Sequence, residues 1–265
     1  MSSQIVFMDK NKVDVENTNA TITATQGSSF IQFVRNRSNR SAWVTNGSVD
    51  ADNTEIEIDF GDSRTLDIII LVTHNFKAYT MKYWNGAIYV DFSTAVNVTG
   101  NLAESTSHEF TLIATQKIKI IITETTTGDE EKFLYQLIAS SKIGRLNGWP
   151  KIGNPTFDKQ KKRNKMLSGK ENIIENLGGF SVNLSLDVYS NEADLDVFEE
   201  LYDSPEGFLV WLCGGDEAQF SNVRMGYRMR DVFLMRTASN YRPEFYKGSY
   251  QSGIIVDVPL VEVIT

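Results

Sequence analysis

Two-residue alternation of apolar and polar side chains runs through most of this chain, and it constrains the fold more than any other feature. In TEIEIDF (54–60), Ile56, Ile58 and Phe60 fall on one side while Glu55, Glu57 and Asp59 fall on the other. QKIKIIITET (116–125) sets Ile118, Ile120 and Ile122 opposite Lys117 and Lys119. GFSVNLSLDVY (179–189) alternates without a break: Phe180, Val182, Leu184, Leu186 and Val188 against Ser181, Asn183, Ser185 and Asp187. A period of two is the signature of a half-buried strand, in which a one-residue slip would expose the whole apolar set. LDIIILV (66–72) is apolar nearly throughout, as a strand covered on both faces requires. Turn-forming clusters at Gly61-Asp62-Ser63, Asn85-Gly86, Thr99-Gly100-Asn101 and Gly128-Asp129 separate these runs. Many short strands at this spacing predict a sandwich or jelly roll.

The clearest helical stretch is SNEADLDVFEELYDS (190–204). Ser190 or Asn191 can cap it, and Leu195, Phe198, Leu201 and Tyr202 line one side. Asp194, Asp196, Glu199 and Glu200 are expected on its solvated face. Just before residue 148 the texture changes: RLNGWPKIGNP (145–155) gathers turn residues into a candidate junction. The chain therefore divides into 1–147 and 148–265. The expected fold is mainly β, a jelly-roll β-sandwich followed by a strand-rich β-sandwich with one short helix and a long basic loop. That loop is DKQKKRNKMLSGK (158–170), with Lys159, Lys161, Lys162, Arg163 and Lys165 crowded into a protein of net charge −8. Mutual repulsion and a lack of apolar neighbours predict an extended or mobile segment, and a candidate subunit interface.

Composition narrows the chemistry. An acidic balance argues against nucleic-acid binding, and no stretch approaches the ~20 apolar residues of a membrane span. A single cysteine, Cys213, excludes an intramolecular disulfide and a cysteine-based zinc site. The N-terminus MSSQIVFMDKNK has no apolar signal core, which predicts synthesis in the cytoplasm without a signal peptide. The two histidines, His74 and His108, have no G-x-S-x-G serine or carboxylate partner in view. His74 is expected to be a structural residue bonded to backbone at a strand end, and His108 an exposed turn residue. No catalytic residue, metal site or cofactor is expected. The aromatic group Trp43, Tyr79, Tyr83, Trp84 and Tyr89 is the remaining candidate, since aromatic faces serve both sugar-binding and protein-binding surfaces. Alternation forbids Tyr83 and Trp84 from both facing the core. Trp43, Trp84 and Tyr89 are the candidate ligand or protein contacts.

The order of features in the first half resembles the discoidin-type, galactose-binding-like jelly roll. An early Trp43 precedes an acid-alternating strand ending Asp59-Phe60-Gly61. His74-Asn75-Phe76, a hairpin through Trp84-Asn85-Gly86, the strand Lys117–Thr123 and a closing segment Lys132–Gly144 follow. That resemblance covers about residues 30–147 and implies binding of glycans, lipids or proteins at loop tips, with no catalysis. The second half is similar to ring-forming domains of phage tail and baseplate proteins, although distal-tail proteins place the ring domain first. The resemblance implies a structural component of a bacteriophage tail tip or baseplate, located in the virion. It would form a homo-oligomeric ring of three or six copies with neighbouring tail proteins as partners. The alternative is a carbohydrate-binding protein that recognises a cell-surface glycan through the jelly roll.

Overall fold

The computed structural model describes residues 5–36, 41–47, 49–146, 151–152, 156–157, 160–165, 171–176, 180–188, 192–204, 207–212, 232–238, 244–247 and 252–263. The first nine strands are β1 (Val6–Met8), β2 (Thr21–Ala24), β3 (Trp43–Val44), β4 (Thr54–His74), β5 (Phe76–Trp84), β6 (Tyr89–Val98), β7 (Thr106–Thr125), β8 (Phe133–Ser140) and β9 (Lys142–Arg145). A 3-10 helix, Ile31–Arg35, lies between β2 and β3. Then come β10 (Lys151–Ile152), β11 (Thr156–Phe157), β12 (Gln160–Lys165), β13 (Glu171–Asn176), β14 (Phe180–Val188), helix α1 (Glu192–Tyr202), β15 (Phe208–Trp211), β16 (Val232–Thr237), β17 (Glu244–Lys247) and β18 (Ser252–Glu262). The protein is mainly β, as the alternation predicts.

Two compact units divide the chain. One takes Met8–Lys142 and Leu212–Val232; the other takes Met1–Phe7, Ile143–Trp211 and Phe233–Thr265. The first unit ends at Lys142, close to the expected boundary at 147, but Leu212–Val232 returns to it, and Val6 and Phe7 of β1 belong to the second unit. Sheet pairing is the reason, because β1 and β9 both join the nine-stranded sheet of the second unit.

The jelly roll is built on one long ribbon, β4 paired antiparallel with β7. Its register runs Thr54↔Ile122 to Asp59↔Lys117, shifts, resumes from Arg64↔Thr115 to Leu66↔Ile113, shifts again, and ends from Ile68↔Glu109 to Leu71↔Thr106. The segments expected as two strands with a turn at Gly61 are thus one strand that bends there. Gly61 sits at φ +78°, and a Cβ on it would come 2.9 Å from the Asn19 carbonyl oxygen, so the corner requires glycine. β5 then pairs with the far half of β7, Phe76↔Thr125, which returns the end of β4 to the neighbourhood of its start. The ribbon is folded in half. One layer carries β2, the first half of β4, the second half of β7, β5 and β6; the other carries the first half of β7, the second half of β4, β8 and β3.

Ile56, Ile58, Phe60, Ile118, Ile120 and Ile122 from the first layer and Leu66, Ile69, Leu71, Leu134 and Leu137 from the second share one core, each fully buried. Along 66–72, Ile68, Ile70 and Val72 are buried as well, so this strand is covered on both faces as its composition predicts. Folding leaves the sandwich with two unlike ends. Loops 25–30, 45–53, 73–76, 99–105 and 126–132 gather at one. The β4 corner, residues 113–116 and the Trp84–Tyr89 turn gather at the other, where Thr115 Oγ1 donates to the Trp84 carbonyl at 2.8 Å.

In the second unit β14 pairs with β18 over eight residues, Ser181↔Val261 to Val188↔Ile254. Val182 and Leu184 are buried while Asn183 is exposed, as alternation predicts; the side chains of Phe180, Leu186 and Val188 lie outside the described residues. Helix α1 buries Val197, Phe198 and Leu201, with Phe198 edge-on to Phe7 at 6.4 Å. Asp194 is buried at 2% exposure rather than solvated, because it precedes Val197 and Phe198 by one turn on the same face. Leu195 and Tyr202 are only half-buried. Ser190 and Asn191 are outside the described residues. Within the basic segment, Gln160–Lys165 is a strand rather than a loop: β12 pairs antiparallel with β13 from Gln160↔Asn176 to Lys165↔Glu171, and the rest of 158–170 lies outside the described residues. The Cα register sets Lys161 opposite Glu175 and Lys165 opposite Glu171. Lys159 and Cys213 lie outside the described residues.

Candidate functional site

The loop end of the jelly roll is fixed by buried polar side chains rather than by strand pairing. Asn75, 5% exposed, donates from Nδ2 to the Glu131 carbonyl at 2.8 Å and accepts the Phe133 N–H at 3.0 Å, pinning the β7–β8 loop. Asp50 accepts from the Thr125 N–H at 2.8 Å, the Thr125 hydroxyl at 3.0 Å and the Asp129 N–H at 3.1 Å. These bonds, with Lys132 nearby, outweigh its partial burial and hold its carboxyl below the usual range. Lys132 is fully buried and its Nζ donates to the Val49 and Asp52 carbonyls at 3.1 and 2.9 Å. Burial lowers its pKa against the pull of Asp50, Asp52 and Asp129. Asn101 performs the same service for the β6–β7 loop, donating to the Phe76 and Ala103 carbonyls at 2.8 and 2.9 Å.

Beneath these loops the two histidines share one hydrogen-bonded chain. His74 is 2% exposed; its Nδ1 accepts the Phe76 N–H at 3.0 Å, which assigns the ring proton to Nε2. That nitrogen meets Thr106 Oγ1 at 3.0 Å. The Tyr79 hydroxyl donates to the same oxygen at 2.8 Å and meets His108 Nε2 at 2.8 Å. Burial depresses His74 to about 3, helped by any charge on His108, and depresses His108 to about 4. Burial also pushes Tyr79 up to about 12. All three are neutral near pH 7 and serve as donors and acceptors. The expectation for His74 agrees with this geometry. His108 departs from its expectation: it is a half-buried strand residue, because β7 begins at Thr106 and draws it under Tyr79. Thr73, just before His74, has φ +52°, an uncommon angle for a β-branched residue, held by its N–H to Ser105 Oγ at 3.0 Å.

The same loops present apolar side chains to solvent. Phe30 and Phe33 are 48% and 37% exposed and stack at 5.9 Å with 26° between their planes. Leu102 is 81% exposed on the Asn101-pinned loop, and Val49 is 40% exposed beside the Lys132 contact. The phenylalanine pair stands on a rigid base. Ile31 and Val34 anchor the 3-10 helix in the core, and Arg35 donates to the Val13, Asp14 and Asn17 carbonyls at 2.8, 3.1 and 2.8 Å. Ser28 and Ser29 are exposed immediately before Phe30. The sequence signal for this pair was available: in SSFIQFVRN, Phe30 and Phe33 are three apart and out of phase with Ile31 and Val34. No strand period marks the segment, so the pair escapes a search for alternation.

The aromatic residues singled out from sequence separate. Trp43 is fully buried and cannot contact a ligand; its Nε1 donates to the Gln26 carbonyl at 3.1 Å and its ring meets Phe76 edge-on at 6.4 Å. It supports the loop that leads into Phe30. Gly27, φ +61°, lies so close to β3 that a Cβ would come 2.2 Å from the Val44 carbonyl oxygen. Trp84 and Tyr89 are half-buried at the opposite end, edge-on at 5.3 Å across the β5–β6 turn. Tyr83 instead packs against the core, so Tyr83 and Trp84 do face opposite ways. Outside Tyr89 lies a ladder of charges. Lys119 Nζ sits 4.7 Å from its ring centroid and bonds Glu55 at 2.8 Å, while Lys117 bonds Asp59 at 2.8 Å. Burial, then Glu57, Asp59 and Glu55, raise the Tyr89 hydroxyl pKa. Among the described residues no group of three His, Cys, Asp or Glu could hold a metal ion, and no helix is long and apolar enough to cross a membrane.

No family model and no curated protein matches this chain. Among solved structures, chitosan-binding module 1 of a chitosanase/glucanase from Paenibacillus sp. IK-5 is similar over 50% of this chain and 99% of that module, with 18% identity and a TM-score of 0.42. A Clostridium perfringens module, CpGH89CBM32-5, solved in complex with GalNAc-β-1,3-galactose, is similar over 47% of this chain and 97% of its own, with 16% identity and a TM-score of 0.39. A Ruminococcus gnavus GH29 fucosidase matches over 50% of this chain but only 27% of the enzyme, at 14% identity and a TM-score of 0.41. Similarity of this degree implies nothing about ligand or activity here.

Proposed function

We propose that the jelly roll is a non-catalytic recognition module that binds a carbohydrate at its loop end. The observation that carries this reading is the exposed, stacked Phe30–Phe33 pair on a backbone fixed by Arg35, Trp43 and Gly27. A sugar ring offers an apolar C–H face and an equatorial belt of hydroxyls. A flat aromatic pair beside the Ser28 and Ser29 hydroxyls complements both, and a base that is rigid before binding loses little entropy on contact. The buried His74–Thr106–Tyr79–His108 chain supports the loops from within. A glycan array probed with the full chain tests the reading. Binding that Phe30→Ala reduces about tenfold or more, with an unchanged melting curve, is expected for an aromatic anchor. An array that stays blank, or binding indifferent to Phe30 and Phe33, overturns it.

For the second unit we propose self-association, within a bacteriophage tail tip or baseplate. The supporting observation is the β12–β13 hairpin, which joins neither larger sheet among the described residues. An isolated two-stranded hairpin is marginal in water and gains stability from a partner surface. Light scattering at low and high salt, with Lys161, Lys162, Arg163 and Lys165 changed to Ser, checks this. Loss of the oligomer in the variant is expected. A monomeric wild type, or assembly unaffected by the change, contradicts it.

A further inference from the structure

We infer that Asn85 is a self-modification site. The Gly86 nitrogen attacks the Asn85 side-chain amide, ammonia leaves, and the resulting succinimide opens with water to an aspartyl or isoaspartyl residue. The inference is independent of the carbohydrate reading and concerns the corner end of the jelly roll.

Asparagine followed by glycine is open to this ring closure because no side chain on the second residue shields its backbone nitrogen. The sequence holds three such pairs, Asn46-Gly47, Asn85-Gly86 and Asn147-Gly148, and the last lies outside the described residues. The first two are exposed, and a Cβ on either glycine would meet nothing within 4 Å. Sterics therefore permit reaction at both. Hydrogen bonding separates them.

In the β5–β6 turn, Asn85 Oδ1 accepts the Ala87 N–H and the Ile88 N–H, each at 3.0 Å. The Asn85 N–H donates in return to the Ile88 carbonyl at 3.2 Å, which closes the turn and keeps both donors aimed at one oxygen. These bonds draw electron density from Cγ. They also point at the oxygen on which negative charge develops when a nitrogen adds to that carbon. Two preorganised backbone donors at such an oxygen are how an oxyanion hole lowers a barrier. The nucleophile sits on the next residue, so attack closes a five-membered ring without loss of translational freedom. At the loop end it is the nucleophile that is held: the Gly47 N–H donates to Glu131 Oε1 at 3.1 Å. That nitrogen must shed its proton to attack, and a carboxylate beside it opposes the negative charge that results.

The step balances with water as its one co-reactant. The Gly86 nitrogen loses its proton to solvent base and bonds to Cγ; the side-chain nitrogen takes up a proton and leaves as ammonia. Water adding at Cγ breaks the new bond and gives an aspartyl residue, whose carboxylate can still accept from Ala87 and Ile88. Water adding at the backbone carbonyl gives an isoaspartyl residue, which routes the main chain through the side chain. That product lengthens the turn that sets Trp84 edge-on to Tyr89 and carries the exposed Ile88. The corner end ages in this way while the loop end keeps its form.

The full chain is incubated in mildly alkaline buffer, native and in urea. Digests taken over time are read by mass spectrometry for amide loss at Asn46 and Asn85, with the isoaspartyl product separated by chromatography. In the native protein Asn85 is expected to convert about tenfold faster than Asn46, and faster than it does in urea, where the two donors are released and both pairs react alike. Asn46 converting as fast as Asn85 in the native protein, or Asn85 reacting no faster folded than in urea, overturns the assignment.

Discussion

The two ends of the jelly roll use the same residue types for opposite purposes. At the corner end, Lys117, Lys119 and their carboxylate partners stand on an exposed sheet face and pair across strands. At the loop end, Lys132, Asp50, Asn75 and Asn101 turn inward and bond backbone, and the exposed Phe30, Phe33, Val49 and Leu102 stand on loops held in this way. A strand ladder already satisfies its own backbone, so charges on it are free to face water. A loop has no ladder, and its carbonyls and N–H groups need side-chain partners before it can hold a shape. The end that looks less regular is thus the one with more specific bonding, and it is the end suited to presenting a preformed surface.

Removing the keystones of each end should give unequal losses. Trp43→Ala deletes a fully buried indole and the bond that fixes Gln26, and should cost about 3–5 kcal/mol in chemical denaturation. The loss should be accompanied by release of the Phe30 loop, read as faster amide exchange at residues 26–30. A cost below about 1 kcal/mol would place Trp43 outside the core.

The lysines make a sharper contrast. Lys132→Met leaves the Val49 and Asp52 carbonyls without their donor and should cost about 2–3 kcal/mol. Lys119→Ala, on the exposed ladder, should cost no more than about 1 kcal/mol, and less at high salt. Similar losses at the two positions would erase the distinction between the ends.

Acid should act on the loop end first. Both histidines are held below their ordinary value of 6.5, to about 3 and about 4. The unfolded chain therefore binds protons that the folded one refuses over that range. The stabilising contribution is complete above about pH 6.5 and declines as pH falls from there toward the folded values. Carboxylates such as Asp50 and Asp59, which fold with pKa values below 3.8, lose their contribution only at lower pH. Thermal melts between pH 7 and 4 should show a falling midpoint, flattened in a His74→Gln, His108→Gln variant. A flat wild-type profile over that window would contradict the buried neutral chain.

Much of the fold was legible because alternation reports directly on which face of a strand is buried. Ile56, Ile58, Ile118 and Ile120 read as core and are core. His74 read as a strand-end structural residue for a chemical reason, the lack of a nucleophile or carboxylate beside it. The errors fall where local pattern is silent about partners. Gly61 signals a turn, yet β7 bends with β4 and keeps the ribbon continuous. Residues 160–165 read as a loop because a run of lysines shows no period, and the pairing with 171–176 that makes them a strand lies outside the run itself. Trp43 and His108 looked accessible because burial by a distant loop or strand leaves no local trace. The Phe30–Phe33 pair was missed since a five-residue 3-10 helix is too short to show a period.

The most direct test compares the two ends on the same ligand. For the glycan that the wild-type chain holds best, affinities are measured by calorimetry for Phe30→Ala with Phe33→Ala and for Trp84→Ala with Ile88→Ala. Both pairs are first shown to melt as the wild type does. A loss of about tenfold or more in the first pair with little change in the second is the predicted result. Binding that survives loss of the phenylalanines and fails with loss of Trp84 and Ile88 would place recognition at the corner end and contradict the account.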